Sequence, residues 1–187
     1  MRIISGKLRG RRLASPSDRR VRPTSDKVKE AIFSMILEYI DQDSVCVDLF
    51  SGTGNLGLEA ISRGAKRVYF GDRSKDSVAL TRQNVKHCQA EDQAVILFGD
   101  YARVLDRISE KADVIFLDPP YMEGILTDAL QAIMSRELLG PGGVIVAEHG
   151  SRECLPDLLF GLAKKKEKKY GGISVTLYEA AADDTNN

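Results

Sequence analysis

The feature that most constrains this chain is a repeated alternation of short apolar runs with helix-period segments. Runs rich in β-branched residues fall at 45–49, 67–71, 94–98, 113–117 and 144–148. Between and after them, apolar residues recur at helical spacing over 55–63, 75–87, 101–109, 125–134 and 155–162. Strands that are apolar on both faces belong to a parallel sheet covered by helices on both sides. The C-terminal part breaks the rhythm. Segments 164–170 and 173–179 flank Gly171-Gly172 and read as an antiparallel hairpin at the sheet edge. Residues 180–187 are polar and read as a frayed tail.

Two pieces precede the sheet. Residues 1–24 form a basic arm or hairpin, with Arg2, Lys7, Arg9, Arg11, Arg12, Arg19, Arg20 and Arg22 spread around Gly6 and Gly10. Pro23 with Thr24 or Ser25 then starts a leading helix over 25–40. Its apolar face is Val28, Ala31, Ile32, Met35, Ile36 and Tyr39. The strand-and-helix core follows over 41–179, so all 187 residues make one domain. The formal net charge is zero, yet residues 1–30 hold ten basic side chains against three acidic ones. That segment carries +7 and the remainder −7, which points to a polyanionic partner met at one end of the molecule. A merely solvated basic terminus is the alternative.

Several classes are set aside. No apolar run approaches the ~20 residues of a membrane helix, and the N-terminus lacks a signal-peptide core. Cys46, Cys88 and Cys154 form no CxxC pair and read as reduced thiols. His87 and His149 are the two histidines, with no HExxH between them, so no metal site is expected. A cytoplasmic monomer without a membrane partner is the expectation.

After the first strand the chain reads Asp48-Leu49-Phe50-Ser51-Gly52-Thr53-Gly54-Asn55-Leu56-Gly57. Gly52, Gly54 and Gly57 satisfy GxGxxG between a strand and a helix, a loop that lets a ligand approach the backbone at a helix N-terminus. Asp72 ends the second strand, where a carboxylate can take both hydroxyls of a ribose. A nicotinamide dinucleotide and S-adenosylmethionine compete for this loop. Asp48 tilts the choice, because a strand-end carboxylate repels a pyrophosphate and attracts a cationic amino group and sulfonium. Asp100, closing the third strand, suits an adenine amino group. The structural alternative is that such acids only cap the helices that follow them.

The fourth strand runs into Asp118-Pro119-Pro120-Tyr121. The prolines fix the backbone and withhold N–H donors. An exocyclic amino group is a poor nucleophile because its lone pair is delocalised into the base. The Asp118 carboxylate and Pro119 carbonyl can each hold one of its N–H groups, and Tyr121 can stack on a base turned out of its helix. Methyl transfer then rests on positioning and electrostatics. The bland alternative is a strand-ending turn with a surface tyrosine.

These residues, together with Arg2-Ile3-Ile4-Ser5-Gly6, Gly10-Arg11-Arg12-Leu13, Arg22-Pro23-Thr24 through Lys27, Glu30, Ala31 and Phe33, and Tyr170-Gly171, resemble a known family. The chain is similar over nearly its whole length to bacterial 16S rRNA guanine-N2 methyltransferases of the RsmD type, in the class I methyltransferase superfamily. The glycine loop is generic to that superfamily, and DPPY is shared with other amino-methyltransferases. The N-terminal markers narrow the choice. The resemblance implies a Rossmann-like α/β fold with a seven-stranded, mostly parallel sheet, helices on both faces, a C-terminal antiparallel hairpin and an RNA-contacting basic arm. It implies methylation of the N2 amino group of one guanine in 16S rRNA, on a small subunit or an assembly intermediate. By the same carry-over, Asp48, Phe50, Gly52, Gly54, Asp72, Arg73, Asp100 and Tyr101 hold S-adenosylmethionine, and Asp118, Pro119, Pro120 and Tyr121 meet the target base. Arg2, Lys7, Arg9, Arg11, Arg12, Arg22, Thr24 and Lys27 meet the RNA. Asp72 departs from the glutamate common at that position. Methylation of adenine N6 or cytosine N4, in DNA or RNA, is the alternative within this chemistry; a non-catalytic RNA-binding assembly factor is the alternative outside it.

Outside the motifs, Cys46 reads as core, His149 as structural rather than a catalytic base, and His87 as a cation suited to a helix C-terminus. The run Lys164-Lys165-Lys166-Glu167-Lys168-Lys169 either touches RNA or protects a sheet edge.

Overall fold

The computed structural model describes residues 1–16 and 24–182. Strands β1 (Val45–Asp48), β2 (Arg67–Asp72), β3 (Ala94–Phe98), β4 (Ala112–Leu117) and β5 (Leu139–Gly150) lie parallel in the order β3-β2-β1-β4-β5. Beyond β5 the sheet continues antiparallel through β8 (Ile173–Ala180), β7 (Leu162–Tyr170) and the short β6 (Leu158–Leu159), making eight strands among the described residues. The mostly parallel sheet with its C-terminal hairpin follows the alternation read from the sequence. Strand β6 is the addition. A helix was expected over 155–162, where leucines do recur at helical spacing. Instead Phe160 (φ 53) and Gly161 (φ 79) form a two-residue turn that pairs Leu159 with Leu162. Consecutive positive φ values suit a hairpin and stop a helix.

Alternation along the strands divides the core into two layers. Cys46, Val114, Phe116, Val144 and Val146 face one side, under α1 (Asp26–Met35), α2 (Asn55–Ser62) and α3 (Lys75–His87). Val45, Val47, Ile115, Leu117, Ile145 and Ala147 face the other, under α4 (Tyr101–Leu105) and α5 (Ile125–Ser135). Helix starts follow local chemistry. Ser25, Ser74 and Asp100 accept from the backbone N–H three residues on and cap α1, α3 and α4. Gly57 allows α2 to lie against the sheet, since a Cβ there would sit 2.2 Å from the Phe70 ring. Helix α4 stops short of the expected 109, and α1 short of 40, where a turn of 3-10 helix over Leu37–Tyr39 takes over.

The N-terminal segment is a hairpin-like loop, with Arg2 bridging Arg12 and the Ile3 N–H donating to the Arg11 carbonyl at 2.9 Å. It is docked rather than projecting. Ile3, Leu8 and Leu13 are buried in the α1–α3 layer. The Leu8 N–H donates to Ser62 Oγ at 2.9 Å and the Ala14 N–H to Asn84 Oδ1 at 2.8 Å. Arg19, Arg20, Arg22 and Pro23 lie outside the described residues, as do 183–187 of the tail. No helix among the described residues is long and apolar enough to cross a membrane.

Candidate functional site

Parallel strands deliver their C-terminal ends to one edge of the sheet, where open α/β sheets bind ligands. Five acids gather there because each of the five parallel strands ends in one: Asp48, Asp72, Asp100 just after β3, Asp118 and Glu148.

Asp48 is buried, and its Oδ2 accepts the Gly57 N–H at 3.0 Å, tying β1 to the start of α2. Burial pushes its carboxyl up to about 7, and the nearby Asp118 and Asp72 charges add to the rise. Asp72 reaches back across the glycine loop: Oδ2 accepts the Gly52 N–H at 2.9 Å and Oδ1 the Ser74 N–H at 2.9 Å. Asp100 caps α4 through the Arg103 N–H at 2.9 Å. Phe50 and Tyr101 make a tilted ring contact on the wall of the cleft, centroids 6.2 Å apart and planes at 49°.

A cleft of about 180 Å³ opens between these groups, lined by Leu49, Phe50, Asp72, Arg73, Ser74, Gly99, Asp100, Tyr101, Pro120 and Ile125. Of the residues expected at a cofactor, Phe50, Asp72, Arg73, Asp100 and Tyr101 line it directly, whereas Asp48, Gly52 and Gly54 do not. Gly52 and Asp48 act from behind, through their bonds to Asp72 and Gly57. Ser74, the capping serine of α3, also lines the cleft, and its place two residues after Asp72 is the signal for it in the sequence.

The Asp118 turn adjoins this cleft, since Pro120 is shared between them. Asp118 is partly buried, and desolvation lifts its carboxyl to about 6 against the lowering effect of a Thr24 hydroxyl hydrogen bond. The Pro120 carbonyl accepts the Met122 N–H at 2.7 Å, which holds the turn closed. Tyr121 and Met122 are exposed beyond it, at 67% and 56%.

Thr24, expected to meet RNA, is instead buried next to the turn. Its Oγ1 lies 3.5 Å from Asp118 Oδ2 and 3.4 Å from Glu148 Oε2. Glu148, missed at the sequence level, is thus the second carboxylate on this hydroxyl. The signal existed, because the fifth strand also ends in an acid. His149 is buried and internal, Nε2 2.9 Å from Thr176 Oγ1 and Nδ1 3.1 Å from the Gly150 carbonyl.

The structure spreads the other basic residues of the expected RNA set. Arg2 pairs with Asp26 at 3.0 Å, Lys7 donates to Gln93 at 2.6 Å and Arg11 to the His87 carbonyl at 2.7 Å. Arg9, Arg12 and Lys27 are exposed, and Arg22 lies outside the described residues. Unforeseen from sequence was Lys29. Its side chain is wholly buried, and its Nζ meets the Arg2 carbonyl, Asn55 Oδ1 at 2.7 Å and Glu59 Oε2 at 3.2 Å. Within the described residues no group of three or more His, Cys, Asp or Glu is placed to hold a metal ion.

Comparison with known proteins matches this architecture. The Haemophilus influenzae protein named ribosomal RNA small subunit methyltransferase D is 34% identical over 96% of this chain and 93% of its own length. Bacillus subtilis YlbH, whose name calls it a candidate rRNA methyltransferase, is 37% identical over 96% of this chain and 98% of its own. The solved structure of yhhF from Escherichia coli, titled a candidate methyltransferase, superposes with a TM-score of 0.86 at 27% identity, covering 97% of this chain and 98% of that one. The model of the family described as conserved hypothetical protein 95 matches residues 1–179. The chain therefore belongs to that family, the one that contains the ribosomal RNA small subunit methyltransferase D proteins.

Proposed function

We propose that this protein methylates the exocyclic N2 amino group of a guanine in the 16S rRNA of the small ribosomal subunit, with S-adenosylmethionine as methyl donor. One arrangement carries the reading: the Asp118-Pro119-Pro120-Tyr121 turn stands beside an acid-lined cleft and shares Pro120 with it. The names of the relatives support rRNA as substrate. The guanine N2 atom is inferred from the chemistry of the turn and from the family resemblance.

The lining of the cleft fits the donor. In this reading Asp72 takes a ribose diol and the Phe50–Tyr101 wall takes a flat base, while the carboxylates at 72 and 100 disfavour a pyrophosphate. When bound, S-adenosylmethionine supplies a methyl group on a cationic sulfonium. The protein's part is to present the amino group. The Asp118 carboxylate and Pro119 carbonyl accept its two N–H bonds, which turns the nitrogen lone pair toward the donor. Tyr121, exposed at the rim, stacks on the turned-out base. With its carboxyl lifted to about 6, Asp118 is ionised at neutral pH, accepts the N–H bond, and takes the proton the nitrogen sheds.

The test is nucleoside mass spectrometry after incubating the protein and S-adenosylmethionine with small subunits that lack this modification. N2-methylguanosine is expected with the wild type. Asp118→Ala should lower its formation by about two to three orders of magnitude. A methylated adenine or cytosine instead would overturn the choice of base, and no methylated nucleoside at all would overturn the activity.

A further inference from the structure

A second and larger concavity lies on the other side of the glycine loop. It has a volume of about 580 Å³ and is lined by Arg12 and Ala14 of the N-terminal segment and by Gln83, Asn84, Lys86 and His87 of α3. Its chemistry is the reverse of the cofactor cleft, which carries Asp72 and Asp100. Among the described residues no carboxylate lines it, while Arg12, Lys86 and His87 are exposed on its walls.

The groove is built rather than incidental. Gln83, Lys86 and His87 fall at i, i+3 and i+4 and share one face of α3. Asn84, one residue along, is committed to structure. Its Oδ1 accepts the Ala14 N–H at 2.8 Å, and its Nδ2 donates to the Ala14 carbonyl at 3.0 Å and to the Thr53 carbonyl at 2.9 Å. These bonds pin the N-terminal segment to α3 and both to the glycine loop. Arg11 adds a second clasp on the His87 carbonyl. Helix α3 therefore carries the cofactor cleft at its capping residue, Ser74, and the basic groove at its last turn. The helix, 13 residues from Lys75 to His87, spans about 20 Å.

We propose that this groove is a phosphate-binding track for the sugar–phosphate backbone of the RNA substrate, with α3 contributing Lys86 and His87 beside Arg12. The proposal rests on the rRNA reading above and extends it to a helix that had no assigned role in binding. The exposed Arg12 and Lys86, with no carboxylate between them among the described residues, suit a polyanion, and cationic side chains of this kind contact phosphates irrespective of base identity. The contacts would be independent of sequence and would orient the RNA while the target base is presented at Tyr121.

The experiment measures affinity for undermodified small subunits, and for deproteinised 16S rRNA, over a series of salt concentrations. Wild type, Lys86→Gln and Lys86→Glu are compared. Lys86→Gln should reduce the salt slope by about one, and Lys86→Glu should weaken binding to both forms of RNA about tenfold. S-adenosylmethionine affinity, read by calorimetry, should stay within about twofold as the check on folding, since Lys86 does not line the cleft. Wild-type affinity and slope in Lys86→Glu would overturn the proposal. A lowered thermal midpoint alone would leave Lys86 only a complement to the helix dipole and would also overturn it. Weakened binding to subunits but not to deproteinised rRNA would reassign the groove to a ribosomal protein. Wild type that bound neither form would overturn the rRNA reading itself, an outcome distinct from the rest.

Discussion

Asp48 keeps a carboxyl where water scarcely reaches it, with a backbone N–H from Gly57 in partial compensation. Its carboxyl is lifted from the ordinary 3.8 to about 7. The native state thus holds that proton more tightly than the unfolded chain. The stabilising contribution is complete below about pH 4 and is lost as pH rises through about 7. Asp48→Asn keeps an oxygen for Gly57 and removes the charge. Urea unfolding at pH 5 and pH 8 should therefore show the wild type losing stability relative to the variant, by a few kcal/mol in all. The same variant should bind S-adenosylmethionine more weakly, since a cationic ligand loses its nearby anion. Equal pH responses in the two proteins would show that another group titrates.

At the scale of elements, the decisive join is between α1, α2 and the N-terminal hairpin. Glu59 on α2 accepts the Ile4 and Ser5 N–H groups at 2.9 Å and 3.0 Å, Arg63 Nε at 2.9 Å, and the buried Lys29 from α1. Both Lys29 and Glu59 side chains have no exposure. Desolvation pulls the Lys29 ammonium below its usual range, and Glu59 opposes that pull. Replacing one member leaves the other charge buried and poorly matched. Glu59→Gln should cost about 3–5 kcal/mol of unfolding free energy, read by chemical denaturation. The double variant Lys29→Met with Glu59→Leu should recover only part of the loss, because the Ile4 and Ser5 N–H groups would then have no acceptor. Full recovery would mean that those backbone bonds contribute nothing.

Over the whole molecule, the basic N-terminus is both a charge bearer and a slab of core. Ile3 has no exposed surface, and Leu8 and Leu13 are 8% and 6% exposed. Deleting residues 1–13 removes three buried side chains, each contributing roughly 1.5–3 kcal/mol, and uncovers the apolar faces of α1 and α2 that they cover. The thermal midpoint of the truncated protein should fall by 10 °C or more, on the order of 2–4 °C per kcal/mol for a chain of this size. A midpoint unchanged by truncation would return the segment to the status of a mobile appendage. Of the basic side chains that give residues 1–30 their charge of +7, Arg12 alone among the described residues lines the basic groove, whose Lys86 and His87 come from the acidic remainder of the chain.

The sequence by itself determined the layered α/β class, because strand runs apolar on both faces have few ways to be buried. It also determined the edge at which the acids gather, since Asp48, Asp72, Asp100 and Asp118 each close a strand that parallel pairing brings into line. Local spacing failed at 155–162, where the leucine period is helical but the backbone at Phe160 and Gly161 turns into a hairpin. It failed again at Thr24, read as meeting RNA, and it gives no sign of the part Lys29 plays. Only tertiary packing decided that Thr24 lies between the carboxylates of Asp118 and Glu148, 94 and 124 residues away, and that Lys29 meets Glu59 inside the core. The reason is physical. Pattern along a chain reports which face is buried, whereas the partner of a buried polar group is set by which distant segment must satisfy its hydrogen bonds.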